Sequence, residues 1–69
     1  MRLARIVFRD SPWWLEDDTE INPEVGTIVQ VTAYPNESSD WGHAIYFPGS
    51  QAPYIISPLI FELYFEWLE

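Results

Sequence analysis

The chain has 69 residues, a net charge of −8 and no cysteine, and 48% of its residues are hydrophobic and 17% aromatic. This length allows a single domain, residues 1–69, and the large rings supply the apolar area that a small core needs. The lack of cysteine excludes disulfides, thiolate zinc sites and cysteine nucleophiles, and it favours a reducing, cytoplasmic location.

Basic and acidic residues are segregated along the chain. Arg2, Arg5 and Arg9 are the only basic residues besides His43, and residues 10–69 contain all 11 acids and no lysine or arginine. Such a distribution repels phosphates and disfavours nucleic-acid binding. Two interpretations remain open: the acids only keep an aromatic-rich domain soluble, or they form a functional anionic surface.

Residues 2–9 predict a first strand. Alternation places Ala4, Ile6 and Phe8 on a core face and Arg5, Val7 and Arg9 on the opposite, solvent face. The apolar part is too short for a signal peptide, because Arg9 and Asp10 interrupt it. No later segment is long and apolar enough to span a membrane.

A long connection, residues 10–23, follows this strand. It carries Trp13 and Trp14 and then an acidic cluster over residues 16–20. Adjacent tryptophans cannot both face the core of a regular strand. The sequence therefore predicts that one ring is packed and the other partly exposed, where it is available to an interface.

Residues 24–47 predict a β-hairpin around which the other elements are arranged. Two apolar runs, 25–34 and 41–47, flank a turn-rich segment at 35–40. Alternation places one apolar set on the core face of the first run and a mixed set opposite. The core set is Val25, Val29, Val31 and Ala33, and the mixed set is Ile28, Gln30, Thr32 and Tyr34. Gly42 marks a bulge or a close-packing point.

The last third of the chain begins with a second tight turn at residues 47–51, where Pro48 precedes Gly49. A short edge strand over 52–57 comes next. Ser57 and Pro58 form a helix-start signature. We expect one helical turn over 58–61 and then a final strand; the alternative is a continuous helix over 58–68.

In chain order these elements resemble a Src-homology-3-like small barrel. Residues 24–31 resemble its second strand, and residues 56–61 resemble its single helical turn and the approach to it. The resemblance implies an all-β fold, a five-stranded antiparallel barrel with one helical turn. The alternative is an α+β fold, an antiparallel sheet with a C-terminal helix. Trp41, Tyr54 and the acidic cluster occupy places similar to the aromatic ligand groove and acidic loop of peptide-binding members.

Residue patterns for catalysis and metal binding are weak. His43 lies near Ser38, Ser39 and Asp40, but one turn of a hairpin does not supply the scaffold that a hydrolytic triad needs, so we expect His43 to pack beside Trp41. The acidic cluster has neither the spacing nor the glycine of an EF-hand loop. We predict no catalytic residue, no metal site and no cofactor, and hence a chain that is not an enzyme.

The composition is similar to that of small acidic phage-encoded inhibitors, including anti-CRISPR and anti-restriction proteins, some of which mimic DNA. That similarity implies action in the host cytoplasm on a basic, nucleic-acid-handling protein or complex, as a monomer or homodimer. The predicted partner-binding residues are Glu16, Asp17, Asp18, Glu20, Glu24, Glu37, Asp40, Trp13, Trp14 and Trp41. The alternatives are an adaptor or assembly module that binds a peptide or subunit through Trp41 and Tyr54, and a homo-oligomer that buries its aromatic surface.

Overall fold

The structure is a computed structural model, and it describes residues 1–36, 38 and 41–68. These contain seven strands and one helix in chain order: β1 (Arg2–Ile6), β2 (Trp13–Trp14), β3 (Glu20–Ile21), β4 (Ile28–Tyr34), β5 (Gly42–Tyr46), β6 (Tyr54–Ile56), α1 (Pro58–Tyr64) and β7 (Phe65–Trp67). Five strands form one antiparallel sheet in the order β6-β5-β4-β1-β7, and β2 pairs with β3 in a separate ribbon.

The predicted central hairpin is confirmed. Strands β4 and β5 pair from Gln30 opposite Tyr46 to Tyr34 opposite Gly42. Gly42 is a close-packing point, because a Cβ atom there would lie 2.9 Å from the main-chain oxygen of Ile56 on β6. A side chain at this position therefore pushes β6 away from the hairpin.

One face of the sheet forms the core. Register and alternation place opposite residues of neighbouring strands on the same side, so Ala4 and Val29 face the core together, as do Val31 and Ile45. The buried residues are Ala4, Ile6, Trp13, Leu15, Val29, Val31, Ala44, Ile45, Phe47, Ile56, Phe61 and Phe65. All of them except Ala44 belong to one cluster.

The ribbon β2–β3 and helix α1 cover this core face. The ring of Trp13 stacks on Tyr54 at 5.1 Å between centroids and lies 5.4 Å from Phe65. Phe61 of α1 stacks on Phe65 at 5.1 Å. Aromatic rings thus fill the space between the sheet and its cover, and each ring supplies a large apolar area to the core of a short chain.

Strand β1 is shorter than predicted. It ends at Ile6, so Ala4 and Ile6 are buried as expected, whereas Phe8 is exposed. Beyond Ile6 the main-chain N–H groups of Val7 and Phe8 both donate to the Tyr64 oxygen at the end of α1. This change of partner ends the regular alternation, and the prediction that Phe8 faces the core is wrong.

The tight turn predicted at residues 47–51 is present. Ser50 N–H donates to the Phe47 oxygen at 3.0 Å, and Gly49 between them has a φ of 82°. Such a left-handed position favours glycine, which explains the Pro48-Gly49 pair. A turn at Gly26 precedes β4, which starts at Ile28; Val25 therefore lies outside the strand, is exposed and does not belong to the core set as predicted.

Helix α1 starts as predicted and ends between the two predicted positions. The Ser57 hydroxyl accepts from the Ile60 N–H at 3.3 Å, and Pro58 occupies the first turn. The helix spans seven residues rather than one turn, and Phe65 begins β7, so the alternative of a helix to residue 68 is wrong. Pairing with β1 accounts for the end, because it buries Phe65 opposite Ile6.

The all-β prediction with a short helix is confirmed, but the sheet does not close. Among the described residues β6 and β7 are edges, each three residues long, and no ladder joins them. Prolines at positions 53 and 58 lie just outside β6 and remove N–H donors that a longer edge would need. The predicted closed barrel is therefore corrected to an open, five-stranded sheet.

Candidate functional site

The acidic cluster forms the end of a short ribbon, which we call the acidic hairpin (residues 13–21). Trp13 pairs with Ile21 and Trp14 with Glu20, and the chain reverses over residues 15–19. Strands of two residues are too short for an alternation pattern to predict them. Three of the predicted site acids lie on the reversal and a fourth begins β3.

Local hydrogen bonds define the reversal. Leu15 N–H donates to the Thr19 oxygen and Asp18 N–H to the Leu15 oxygen, both at 2.9 Å. Asp18 has a φ of 66°, a left-handed position that aspartate tolerates better than most residues. Asp17 Oδ1 accepts from the Thr19 N–H at 3.1 Å. The acids of the cluster therefore also build the turn that presents them.

The sequence patterns above did not predict the contact between Thr19 and Asp17. The side chain and the main-chain N–H of Thr19 both hydrogen-bond Asp17 and hold the pKa of that carboxyl below its ordinary value of 3.8. An aspartate two residues before a donor, within a turn, is the pattern that would have indicated this contact. The folded chain therefore favours the ionised form of Asp17 more than an unstructured chain does.

Two buried side chains attach the acidic hairpin to the core. Trp13 is 4% exposed and Leu15 is similarly buried. Besides stacking on Tyr54, Trp13 makes an edge contact with Tyr64 at 5.6 Å. Glu16 N–H donates to the Pro53 oxygen at 2.8 Å, which joins the hairpin to the start of β6. The acids are thus presented from a fixed position.

The remaining side chains of the acidic hairpin face solvent. Glu16, Asp17, Asp18 and Glu20 are all exposed. Trp14, opposite Glu20, is 55% exposed. The predicted division between the two tryptophans is therefore confirmed. Trp13 is a core residue, and its ring is not accessible to a partner, so we remove it from the predicted contact set.

The three arginines contact other parts of the molecule. Arg2 lies over the Trp67 ring at 3.8 Å from its centroid, and Arg5 pairs with Glu66. Arg9 donates to the main-chain oxygens of Pro23 and Ser11 at 2.6 and 3.1 Å, and to Asn22 Oδ1 at 3.1 Å. Within residues 1–36, 38 and 41–68, no arginine forms an ion pair with the acidic hairpin.

The other predicted contact residues lie apart from the acidic hairpin in the sequence. Glu24 is exposed in the turn before β4, where its main-chain oxygen accepts from Thr27 N–H. Trp41 precedes β5, is 61% exposed and meets Tyr34 edge-on at 5.3 Å. Glu37 and Asp40 lie outside the described residues.

The two aromatic residues proposed for a peptide groove contact different neighbours. Trp41 rests on Tyr34 at one end of the β4–β5 hairpin, whereas Tyr54 lies on the core face against Trp13 and Phe47. No ring contact joins Trp41 to Tyr54 in the described part of the chain. Burial, with the nearby Tyr64 and Asp10 as lesser causes, raises the pKa of Tyr54 above its ordinary value of 10.0.

His43 is part of an aromatic cluster. Its ring meets Phe61 at 4.8 Å and Trp67 at 5.6 Å, both edge-on, rather than packing beside Trp41 as predicted. The register explains the difference, because His43 lies opposite Ile56 and shares the core face of β5. Ser39 and Asp40 lie outside the described residues. Among those described, no three acidic or histidine side chains converge as metal ligands.

Comparison with protein-family models, curated proteins and solved structures finds no match to this chain. Within the described residues no helix is long and apolar enough to cross a membrane.

Proposed function

We propose that the chain is a non-enzymatic acidic binding protein, a phage-type, anti-CRISPR-like inhibitor. It covers the basic nucleic-acid-binding surface of a host protein or complex in the host cytoplasm by presenting DNA-like negative charge. The observation that carries the proposal is the acidic hairpin: four exposed carboxylates in five residues, anchored by two buried side chains.

The charge density of the acidic hairpin suits this role. A DNA strand carries one charge per about 3.4 Å of helix axis, and proteins that bind it expose arginine and lysine along that path. Glu16, Asp17, Asp18 and Glu20 place four exposed carboxylates within five residues of one turn, and no described arginine forms an ion pair with them. Long-range attraction to a basic surface then accelerates the encounter.

The exposed ring of Trp14 supplies the apolar part of the contact. Interfaces derive most of their binding energy from a few large side chains, tryptophan foremost, surrounded by polar groups. Trp14 projects from the same ribbon as Glu20. We therefore place Trp14 and the four acids in one contact surface, with Glu24, Glu37, Asp40 and Trp41 as further contributors.

The experiment is capture of partners from a bacterial lysate by the immobilised protein, with double-stranded DNA as competitor. We expect capture of nucleic-acid-handling proteins that is released by added DNA and by raising the salt from about 50 to about 500 mM, because salt screens exposed charges. The double variant Asp17→Asn/Asp18→Asn is expected to reduce this capture. Asparagine keeps the turn bond to Thr19 and tolerates the left-handed position.

A matched control separates local charge from net charge. Asp10→Asn/Glu62→Gln removes two exposed acids outside the acidic hairpin and changes the net charge equally, from −8 to −6. We expect this control to retain most of the capture. If both double variants lose capture equally, only net charge matters, and the assignment to the acidic hairpin fails.

The second candidate function is a Src-homology-3-like adaptor or assembly module that binds a peptide or subunit through aromatic residues. It is supported by the chain order of strands, long connection, hairpin and short helix, and by the exposure of Trp41. In this case Trp41→Ala abolishes capture, whereas the Asp17→Asn/Asp18→Asn variant and added DNA leave it unchanged.

A further inference from the structure

Trp14 and Glu20 form an exposed pair on the solvent side of the acidic hairpin. They lie opposite each other in the β2–β3 ribbon, and both side chains are exposed. Opposite residues of an antiparallel pair have Cβ atoms about 5 Å apart on the same face, so the indole and the carboxylate are neighbours. The preceding pair, Trp13 and Ile21, packs against the core, which directs Trp14 and Glu20 outward.

The charge of this pair determines what can cover it. In the part of the chain that the structure describes, no arginine contacts the Trp14 ring or the Glu20 carboxylate. The turn between the two strands adds three more exposed carboxylates at residues 16–18. An uncharged side chain laid over the pair would bury the Glu20 carboxylate without a partner, which costs free energy. The pair therefore favours a cation.

The combination of a ring and a carboxylate distinguishes between the two common cations of proteins. The guanidinium of arginine is planar and weakly hydrated, so it stacks on an aromatic face while the N–H groups at its edge donate to a carboxylate. The ammonium of lysine is a compact, strongly hydrated charge and gains less from the ring. Acids alone would attract both cations, whereas an indole beside a carboxylate favours arginine.

The molecule contains each half of such a contact within itself. The Cζ atom of Arg2 lies 3.8 Å from the centre of the Trp67 ring, and Arg5 forms an ion pair with Glu66. Both contacts join β1 to β7, away from the acidic hairpin. The described contacts of the chain thus include guanidinium on indole and guanidinium on carboxylate, while Trp14 and Glu20 have no arginine of their own.

We propose that Trp14 and Glu20 together bind the side chain of one arginine of the partner. The guanidinium stacks on the Trp14 indole and donates to the Glu20 carboxylate. This inference rests on the proposed function and deepens it, because it states which basic residue the acidic hairpin recognises. Tryptophan and arginine are the residues most enriched among those that dominate binding energy, so this contact forms the centre of the interface. The acids at 16–18 attract the surrounding positive charge without selecting its type.

Two peptides test the selection of arginine. One alternates arginine with glycine, and the other is its lysine counterpart of equal length and charge. Their affinities for the chain of residues 1–69 are measured by NMR titration at about 50 mM salt, where exposed charges are weakly screened. We expect the arginine peptide to bind about two- to fivefold more tightly, the factor that an exposed cation–π contact gives, and to shift the indole N–H signal of Trp14.

Substitutions separate the ring from the charge. Trp14→Leu keeps the apolar bulk and removes the aromatic face, so it is expected to abolish the preference while both peptides still bind. Trp41→Leu is the control, because Trp41 is 61% exposed and precedes β5. Glu20→Gln is expected to weaken the arginine peptide more than Glu62→Gln, which removes one exposed acid on α1. Thermal melting checks that each variant folds.

Three results would overturn the arginine site: equal affinities for the two peptides, no measurable binding of either, or a preference that persists in Trp14→Leu. None of them depends on the capture experiment. If partners are still released by salt and DNA, the role of the acidic hairpin stands and only the arginine site fails. If capture is insensitive to both, the proposed inhibitor function fails, whatever the peptides show.

Discussion

Trp13 and Trp14 are adjacent residues with opposite environments. Trp13 contacts Phe47, Tyr54, Tyr64 and Phe65 and connects the ribbon to the sheet, whereas Trp14 faces solvent beside Glu20. The first ring stabilises the fold and the second is available for binding. A shift of one position in the sequence therefore separates a tryptophan that stabilises the core from one that is exposed to solvent.

The two tryptophans are expected to differ in their effect on stability. Trp13→Ala removes a buried ring and lowers the free energy of unfolding by about 3–5 kcal/mol, much of what a domain of this size possesses. Trp13→Phe, which keeps a ring, gives a smaller loss that is measurable by urea denaturation. Trp14→Ala changes stability by less than about 1 kcal/mol. Equal losses for the two alanine variants would contradict the assignment.

Tyr54 makes the stability of the fold sensitive to alkaline pH. Its pKa is raised in the folded chain, chiefly by burial, so its stabilising contribution is complete below the unfolded value near 10.0 and is lost as the pH rises through the folded pKa. We expect Tyr54→Phe to reduce the fall in melting temperature above about pH 10. Tyr46→Phe is the control, because it keeps Tyr54, and its melting temperature is expected to fall with pH as in the parent. If Tyr54→Phe and the parent show the same fall in melting temperature, ionisation of Tyr54 is not its cause.

Helix α1 shows how a few residues define an element. Ser57 caps its first turn, Pro58 fixes the backbone of the first helical position, and Phe61 is the residue that the helix buries. A helix of seven residues is too short to be stable alone, so the cap and this packing determine whether it forms. Phe65 then leaves the helix to pair with β1.

The cap gives a prediction at the scale of the element. Ser57→Ala removes the acceptor for the Ile60 N–H and is expected to lower the free energy of unfolding by about 0.5–2 kcal/mol. Ser50→Ala is the control, because the turn bond at Ser50 uses its main-chain N–H. Urea denaturation of the two variants checks the difference, and a loss in Ser50→Ala as large as that in Ser57→Ala would argue against the cap.

At the scale of the whole molecule, local signals predicted local structure. Turn residues marked the β4–β5 hairpin, Pro48 with Gly49 marked a tight turn, and Ser57 with Pro58 marked the start of α1. Each signal depends on residues close in the sequence, where backbone chemistry decides the conformation. The buried pair Ala4 and Ile6 also followed from strand alternation.

Features that depend on distant residues were not predictable in the same way. The alignment of Leu3, Gln30 and Tyr46 across three strands depends on the register of the sheet. The end of α1 depends on β1, and the open sheet depends on short edge strands. For the candidate site, the sequence identified the acids and the division between Trp13 and Trp14, but not the pairing that turns them into a hairpin.

The net charge of the whole molecule determines which surfaces the acidic hairpin attracts and which it repels. All three arginines contact other parts of the chain, so the negative field of residues 16–20 is not offset by a described ion pair. A molecule of this kind attracts basic surfaces and repels nucleic acid.

The central claim is that the acidic hairpin binds a basic partner, and the salt dependence of the affinity for a captured nucleic-acid-handling protein tests it most directly. The affinity is measured for the parent protein, for the acidic-hairpin variant Asp17→Asn/Asp18→Asn and for the control Asp10→Asn/Glu62→Gln. We predict that the logarithm of the affinity falls steeply with the logarithm of the salt concentration for the parent and the control, and less steeply for the acidic-hairpin variant. An affinity that does not change with salt, or equal slopes for all three proteins, would contradict binding through the acidic hairpin.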